Sequence, residues 1–107
     1  MLPRQTADEK TGRVAAYYEG KNALVTGGFG FIGSHMTKAL VELGANVTVF
    51  DIRTDTERDS MMNDPALGLR DKVQVITGDL ANAAAVKDAI CGGNFHFIFN
   101  FAAYATV

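Results

Sequence analysis

The chain has a single cysteine, Cys91, so no internal disulfide is available to staple it. It has no basic stripe either. Ten Lys and Arg residues are interspersed with twelve Asp and Glu for a formal net charge of −2, and nucleic acid is therefore not an expected partner. Long apolar runs are missing: the most apolar stretch, residues 95–107, is interrupted by Asn100 and falls short of the roughly 18 residues that a membrane helix requires. Asp8, Glu9, Lys10 and Arg13 occupy the region where a secretory signal would need a continuous apolar core. Together these features place the chain in the cytoplasm, with no membrane partner. There is no internal repeat and no low-complexity tract. No Gly-Lys-Ser/Thr follows the glycine-rich segment near residue 30, which excludes a P-loop nucleotidase. What remains is the composition of an ordinary globular protein, 48% hydrophobic and 21% charged over 107 residues, at the length of one small domain.

Residues 1–20 show no sustained periodicity and mix charges with Pro3 and Gly12, which reads as a loose N-terminal arm ending in a turn at Gly20, with Tyr17 and Tyr18 available to pack on the body. The folded segment spans residues 21–107. Asn22 to Thr26 is a short apolar run bounded by glycines, the pattern of a strand buried on both faces. From Phe31 to Leu43 the apolar residues Ile32, Met36, Leu40 and Leu43 recur at helical spacing, with Gly44 placed to end the helix. Asn46 to Asp51 predicts a second strand, and the polar stretch from Ile52 to Lys72, broken by Pro65 and Gly68, predicts a loop with at most one short helix. Val73 to Thr77 predicts a third strand. Asp79 to Cys91, with Val86 and Ile90 at i, i+4, predicts a helix that ends at Gly92-Gly93, and Phe95 to Phe101 a fourth strand. Strands alternating with crossover helices imply an α/β fold, a Rossmann-type doubly wound parallel sheet represented by about four strands.

Between the first strand and the first crossover helix lies Thr26-Gly-Gly-Phe-Gly-Phe-Ile-Gly33. Gly28, Gly30 and Gly33 fit the dinucleotide pattern G-x-G-x-x-G, and Gly27, Gly30 and Gly33 fit a second register. In either, one glycine permits the tight turn, one lets backbone amides approach a pyrophosphate, and Gly33 lets the helix pack closely on the strand. The helix N-terminus then offers free N–H groups and its positive dipole end to phosphate. Glycine-rich turns are also common as plain structure, so the second signal matters. Asp51 ends the second strand at close to the ~20-residue spacing at which a carboxylate meets the adenosine ribose, and its charge would repel a 2′-phosphate, which favours NAD over NADP. The competing reading makes Asp51 the start of a turn, with Arg53 able to accommodate a phosphate.

The first strand, its glycine turn, Asp51, Gly78-Asp79-Leu80 after the third strand and Asn100-Phe-Ala-Ala103 after the fourth resemble, in that order, the extended short-chain dehydrogenase/reductases, the NAD-dependent epimerase/dehydratase group. The resemblance runs from about Lys21 to Ala103 and selects the register Gly27, Gly30, Gly33. It implies that Phe31 and Ile32 contact the pyrophosphate through their amides, that Asp79 and Leu80 hold the adenine, and that Phe101, Ala102 and Ala103 line the path to the nicotinamide. It also implies a nucleotide-sugar substrate, hydride transfer to NAD, and a catalytic Ser or Thr with a Tyr-x-x-x-Lys pair beyond the fifth strand. No such pair occurs in these residues, so no catalytic residue is assigned, and the segment is expected to be an incomplete enzyme whose fourth strand forms an open edge. Tyr104 directly follows the fourth strand and stands in the wrong place for the catalytic tyrosine.

The remaining candidates carry less. His35 reads as solvated on the exposed side of the first helix, His96 has no partner suggestive of a metal or a triad, Cys91 reads as packing, and the charged run Thr54 to Asp59 as a solvated loop. Asp79 has the alternative role of a helix cap. Two further functions stay open: a non-catalytic dinucleotide-binding module, and a methyltransferase-like domain, which also combines a glycine turn with an acidic residue after the second strand. A homodimer is compatible with either enzyme reading.

Overall fold

A computed structural model of the chain describes residues 7–52 and 60–102. Strands β1 (Asn22–Thr26), β2 (Asn46–Asp51), β3 (Gln74–Thr77) and β4 (Phe97–Asn100) form one sheet in the order β3-β2-β1-β4, and every neighbouring pair is parallel. Helix α1 (Ala7–Tyr18) precedes the sheet, α2 (Phe31–Glu42) joins β1 to β2, the single turn α3 (Leu69–Lys72) leads into β3, and α4 (Ala83–Gly93) crosses from β3 to β4. The chain winds outward from β1 to β3 and then returns to the other side of β1, so the winding direction reverses between β1 and β4. Such a reversal opens a crevice at the carboxyl ends of the strands, where ligands of open α/β sheets bind. The doubly wound parallel sheet expected from the sequence is the fold observed.

The alternation of side chains along β1 and β2 divides the core into two layers. Ala23, Val25, Val47 and Val49 pack with Leu40 of α2 and with Phe29, Met62 and Leu69. On the opposite face Leu24 and Phe50 pack with Ala89 of α4, flanked by half-buried Ile76, Leu80, Val86 and Phe95. β4 sits at the edge of the sheet, with Phe97 and Phe99 half-buried in the first layer and Ile98 half-exposed on the other side.

Several elements differ from the sequence expectation in detail. The N-terminal stretch read as a loose arm is helical over Ala7–Tyr18. Its anchor is aromatic: the Tyr17 and Tyr18 rings lie 5.5 and 5.0 Å from that of Phe97, a long-range contact that no local period announces. In α2 the buried stripe is Gly33, Ser34, Thr37 and Leu40, whereas Ile32 is 63% exposed, because the small residues are the ones that let the helix lie close to the sheet. α4 starts at Ala83 rather than Asp79. Asp79 instead accepts a hydrogen bond from the Ala81 N–H at 2.9 Å, and the cap is Asn82, whose Oδ1 accepts from the Ala85 N–H at 3.2 Å. Ile90, expected on the inner stripe of α4, is exposed, and Ala89 is buried in its place.

The polar excursion after β2 contributes more to the core than its composition suggests. A 3-10 turn over Met61–Asn63 and the α3 turn bury Met62 and Leu69 at 1% and 3% exposure, under the α2 side of the sheet. Truncating a buried methionine costs about 2–5 kcal/mol through lost transfer energy and the cavity left behind. Met62→Ala is therefore expected to lower the unfolding free energy by that amount and the urea midpoint by that amount divided by the denaturant slope, and a midpoint within experimental error of the parent would show that the excursion only rests on the surface.

Candidate functional site

The glycine turn occupies the carboxyl end of β1, beside the winding reversal. Gly27 has φ +73°, in the left-handed region that disfavours residues with a Cβ. Space forbids a side chain as well, since a Cβ on Gly27 would stand 2.6 Å from the Ala102 nitrogen and 2.7 Å from the Phe101 carbonyl carbon. The turn is held by the Gly27 N–H, which donates to the Phe50 carbonyl at 2.8 Å, and by the Gly30 N–H, which donates to the Gly27 carbonyl at 3.1 Å. Gly33 faces that same carbonyl so closely that a Cβ there would overlap its oxygen. Helix α2 thus begins with its backbone laid directly on the backbone of the turn.

Gly30 is different. Its backbone is extended (φ −74°, ψ 175°), and a Cβ on it would meet only the Gly27 carbonyl oxygen, at 3.4 Å, an ordinary contact. Neither conformation nor packing requires glycine at this position. Gly30 is the N-cap of α2, with no side-chain cap hydrogen bond and no acidic residue in the first turn. The first intrahelical bond is from the Ser34 N–H to the Gly30 carbonyl, at 2.9 Å, so the amides of Phe31, Ile32 and Gly33 have no intrahelical acceptor. Their side chains leave the approach open: Phe31 and Ile32 are 81% and 63% exposed.

Asp51 ends β2 next to this helix start. Its Oδ2 accepts a hydrogen bond from the Phe29 N–H at 3.0 Å, and its own carbonyl accepts from the Gly78 N–H at 3.0 Å. The carboxylate is half-buried, and when ionised it accepts hydrogen bonds and donates none. The Phe29 contact ties together two features that lie apart in the sequence, the glycine turn and the acidic end of β2.

The other expected residues arrange themselves around this pair. Gly78 leads Asp79 and Leu80 away from the end of β3; a Cβ on Gly78 would stand 2.6 Å from the Phe50 ring, and Leu80 packs against the layer of Leu24, Phe50 and Ala89. Phe101 and Ala102 pass behind Gly27, with the Phe101 N–H donating to the Thr26 carbonyl at 2.9 Å. Ala103, Tyr104, Arg53 and the run Thr54 to Asp59 lie outside the described residues. Sequence reasoning missed Asn100 as a structural partner: Thr26 Oγ1 donates to its Oδ1 at 2.5 Å, joining the carboxyl ends of β1 and β4. It also missed Phe29 and Arg70, treated below.

The residues set aside from the sequence take structural places. His35 is exposed with its ring edge on Phe31 at 4.8 Å, and His96 Nδ1 accepts from the Asn22 N–H at 3.0 Å. Cys91, expected to pack, is exposed, because α4 turns Ala89 rather than its C-terminal end toward the sheet. Among the described residues no cluster of three His, Cys, Asp or Glu side chains could hold a metal, and no helix is long and apolar enough to cross a membrane. A cleft of about 720 Å³ opens at the other end of the sheet, lined by Asn22, Asn46, Thr48, Gln74 and Asp88 among others. None of the glycine-turn residues lines it, and it lies at the amino ends of the strands, away from the crevice that the topology creates.

Residues 24–107 match the GDP-mannose 4,6 dehydratase family. The chain belongs to that family. Its fold is shared by an epimerase of Methanothermobacter thermautotrophicus, with 27% identity and a TM-score of 0.72 over 92% of this chain. It is shared too by a dTDP-glucose 4,6-dehydratase of Bacillus anthracis solved in complex with NAD, at 27% identity and 0.64 over 78%, and by a short-chain type dehydrogenase/reductase of Mycobacterium marinum, at 26% and 0.60 over 77%. The chain spans 27%, 27% and 32% of the lengths of these three structures. A comparison with curated proteins finds no match. Membership of the GDP-mannose 4,6 dehydratase family bears out the resemblance to the extended short-chain dehydrogenase/reductases, and the chain carries an epimerase/dehydratase-type domain.

For this family member the turn's geometry separates glycines needed for folding from one that is not. Gly33→Ala places a methyl group against the Gly27 carbonyl and is expected to destabilise the protein by about 1–3 kcal/mol or more, as overpacking does. Gly30→Ala is expected to cost only about 1 kcal/mol, the loss on exchanging a fair N-cap for a poor one. Thermal melting of the two variants checks the contrast, and equal melting temperatures would contradict it.

Proposed function

We propose that the chain is the NAD-binding part of an oxidoreductase of the epimerase/dehydratase type that acts on a nucleotide sugar by hydride transfer. The observation that carries this reading is Gly30, a glycine that neither its backbone angles nor its neighbours require, at the uncapped start of a helix. Glycine adds no side chain beside the amides of Phe31, Ile32 and Gly33, which have no intrahelical acceptor, and the helix dipole favours negative charge at that end. The residues fit a dinucleotide. The amides take the pyrophosphate, and the Asp51 carboxylate, held beside them by the Phe29 N–H, is assigned to the ribose hydroxyls. Asp79 and Leu80, past the end of β3, are assigned to the adenine, and Phe101, Ala102 and Ala103 to the path toward the nicotinamide. A bound nicotinamide supplies a two-electron acceptor for a hydride from a sugar carbon. In this reading the chain's residues bind and orient the dinucleotide, and none of them is assigned as an acid or base group of the reaction or as a contact to the sugar nucleotide.

Asp51 decides between dinucleotides in this reading. Hydrogen bonds to a charged group contribute about 1.5–3 kcal/mol, so Asp51→Ser is expected to weaken NAD by roughly tenfold or more and to narrow its advantage over NADP. Calorimetric titration with the two dinucleotides measures this, and an unchanged affinity ratio would refute the ribose role. Gly30→Val is expected to abolish dinucleotide binding with the helical circular dichroism retained, while undiminished NAD affinity would reduce the turn to a structural feature. Titration with S-adenosylmethionine separates this reading from a methyltransferase-like domain: saturable binding of that ligand without NAD would replace the proposal.

A further inference from the structure

The glycine turn needs a residue between Gly28 and Gly30, but nothing in a pyrophosphate site needs it to be large. Phe29 stands there with its side chain 1% exposed, packed in the same layer as Met62 and Leu69 of the excursion that follows β2. The Arg70 guanidinium carbon lies 5.2 Å from the centre of its ring, and Arg70 Nη1 donates to Asn63 Oδ1 at 2.8 Å, which holds the cation over the ring from the 3-10 turn. The backbone of the same residue faces the other way in function: its N–H donates to Asp51 Oδ2 at 3.0 Å. One residue is thus gripped at its ring by the excursion and grips, through its amide, the carboxylate at the end of β2.

We propose that Phe29 is a positioning residue for dinucleotide selection: clamped between Arg70 and the core, it fixes the orientation of the Asp51 carboxylate toward a ribose diol and against a ribose 2′-phosphate. The inference rests on the dinucleotide reading of the site and adds to it the element that makes Asp51 selective. A carboxylate accepts two hydroxyl hydrogen bonds well only in one rotational setting, and a side chain held in that setting before the ligand arrives loses less freedom on binding. The Phe29 amide supplies that hold. The hydrogen bonds of Gly27 and Gly30 hold the turn on either side of residue 29, and the ring, buried in the core under Arg70, anchors the residue between them. The excursion is thereby part of the cofactor site through packing, without touching the ligand.

The test uses Arg70→Gln, at an exposed position, and Phe29→Leu, which keeps an apolar anchor but removes the ring. Each is made alone and together with Asp51→Asn, and each is titrated with NADH and NADPH by fluorescence. Hydrogen exchange of the residue 29 amide is followed in parallel. A cation over an aromatic ring at a partly exposed site is worth about two- to fivefold in an equilibrium. Arg70→Gln is therefore expected to narrow the NADH to NADPH affinity ratio by about that factor and to speed exchange of the residue 29 amide, and Phe29→Leu to do more of both. In the Asp51→Asn background the same substitutions are expected to leave the ratio unchanged. Equal weakening of both dinucleotides would show a purely structural role and overturn the proposal. So would an unchanged ratio in a protein that binds NADH, which leaves the dinucleotide reading standing. A parent protein that binds neither dinucleotide would remove that reading and this inference with it.

Discussion

The start of α2 lies backbone against backbone on the glycine turn, and the carboxyl end of the sheet is organised around that contact. Gly33 has room for no Cβ beside the Gly27 carbonyl, and Gly27 has none beside Phe101 and Ala102. A side chain at either point would push the helix away from β1 or the exit of β4 away from the turn. With both positions bare, the helix starts directly on the carboxyl end of β1, the strand at which the winding reverses toward β4. The polar bonds there follow from the same closeness: Gly27 reaches the Phe50 carbonyl, Phe101 reaches that of Thr26, and Thr26 meets Asn100. Backbone groups that would be costly to bury unpaired are satisfied across three strands.

Electrostatics at this mouth are divided between two chain segments of opposite sign. The helix start offers uncapped N–H groups with no acidic residue in the first turn, and the end of β2 offers the Asp51 carboxylate. A ligand with an anionic centre flanked by neutral hydroxyls suits both together, which neither a free anion nor a simple sugar would do. The Phe29 amide bound to Asp51 keeps the carboxylate beside the helix start. The polar cleft at the amino ends of the strands has no such pairing of a helix start with a strand-end carboxylate. In an open sheet, topology places the crevice.

Local pattern carried much of this protein. Runs of apolar and β-branched residues marked the four strands, and their alternation with helical stretches dictated a parallel sheet, because parallel neighbours require crossovers. The strand order β3-β2-β1-β4 followed from the fold class. The spacing of Gly27, Gly30 and Gly33 and the placing of Asp51 at the end of β2 were legible because a turn's sterics and a strand's end are written in a few adjacent residues.

Tertiary structure decided what adjacent residues cannot encode. Whether the inner stripe of α2 begins at Ile32 or at Gly33 depends on how closely the helix approaches β1, and the close approach selected the small residues and left Ile32 in solvent. The helical N-terminal stretch depends on Tyr17 and Tyr18 meeting Phe97, far along the chain. Met62, Leu69 and Arg70 sit in a polar segment that reads as a loop with at most one short helix, and only its folding back over Phe29 reveals a core and a clamp. The sequence by itself determined which backbone conformations and which periodicities were available; the packing of distant segments determined which faces were buried, because burial is a property of the neighbours a residue finds and not of the residue alone.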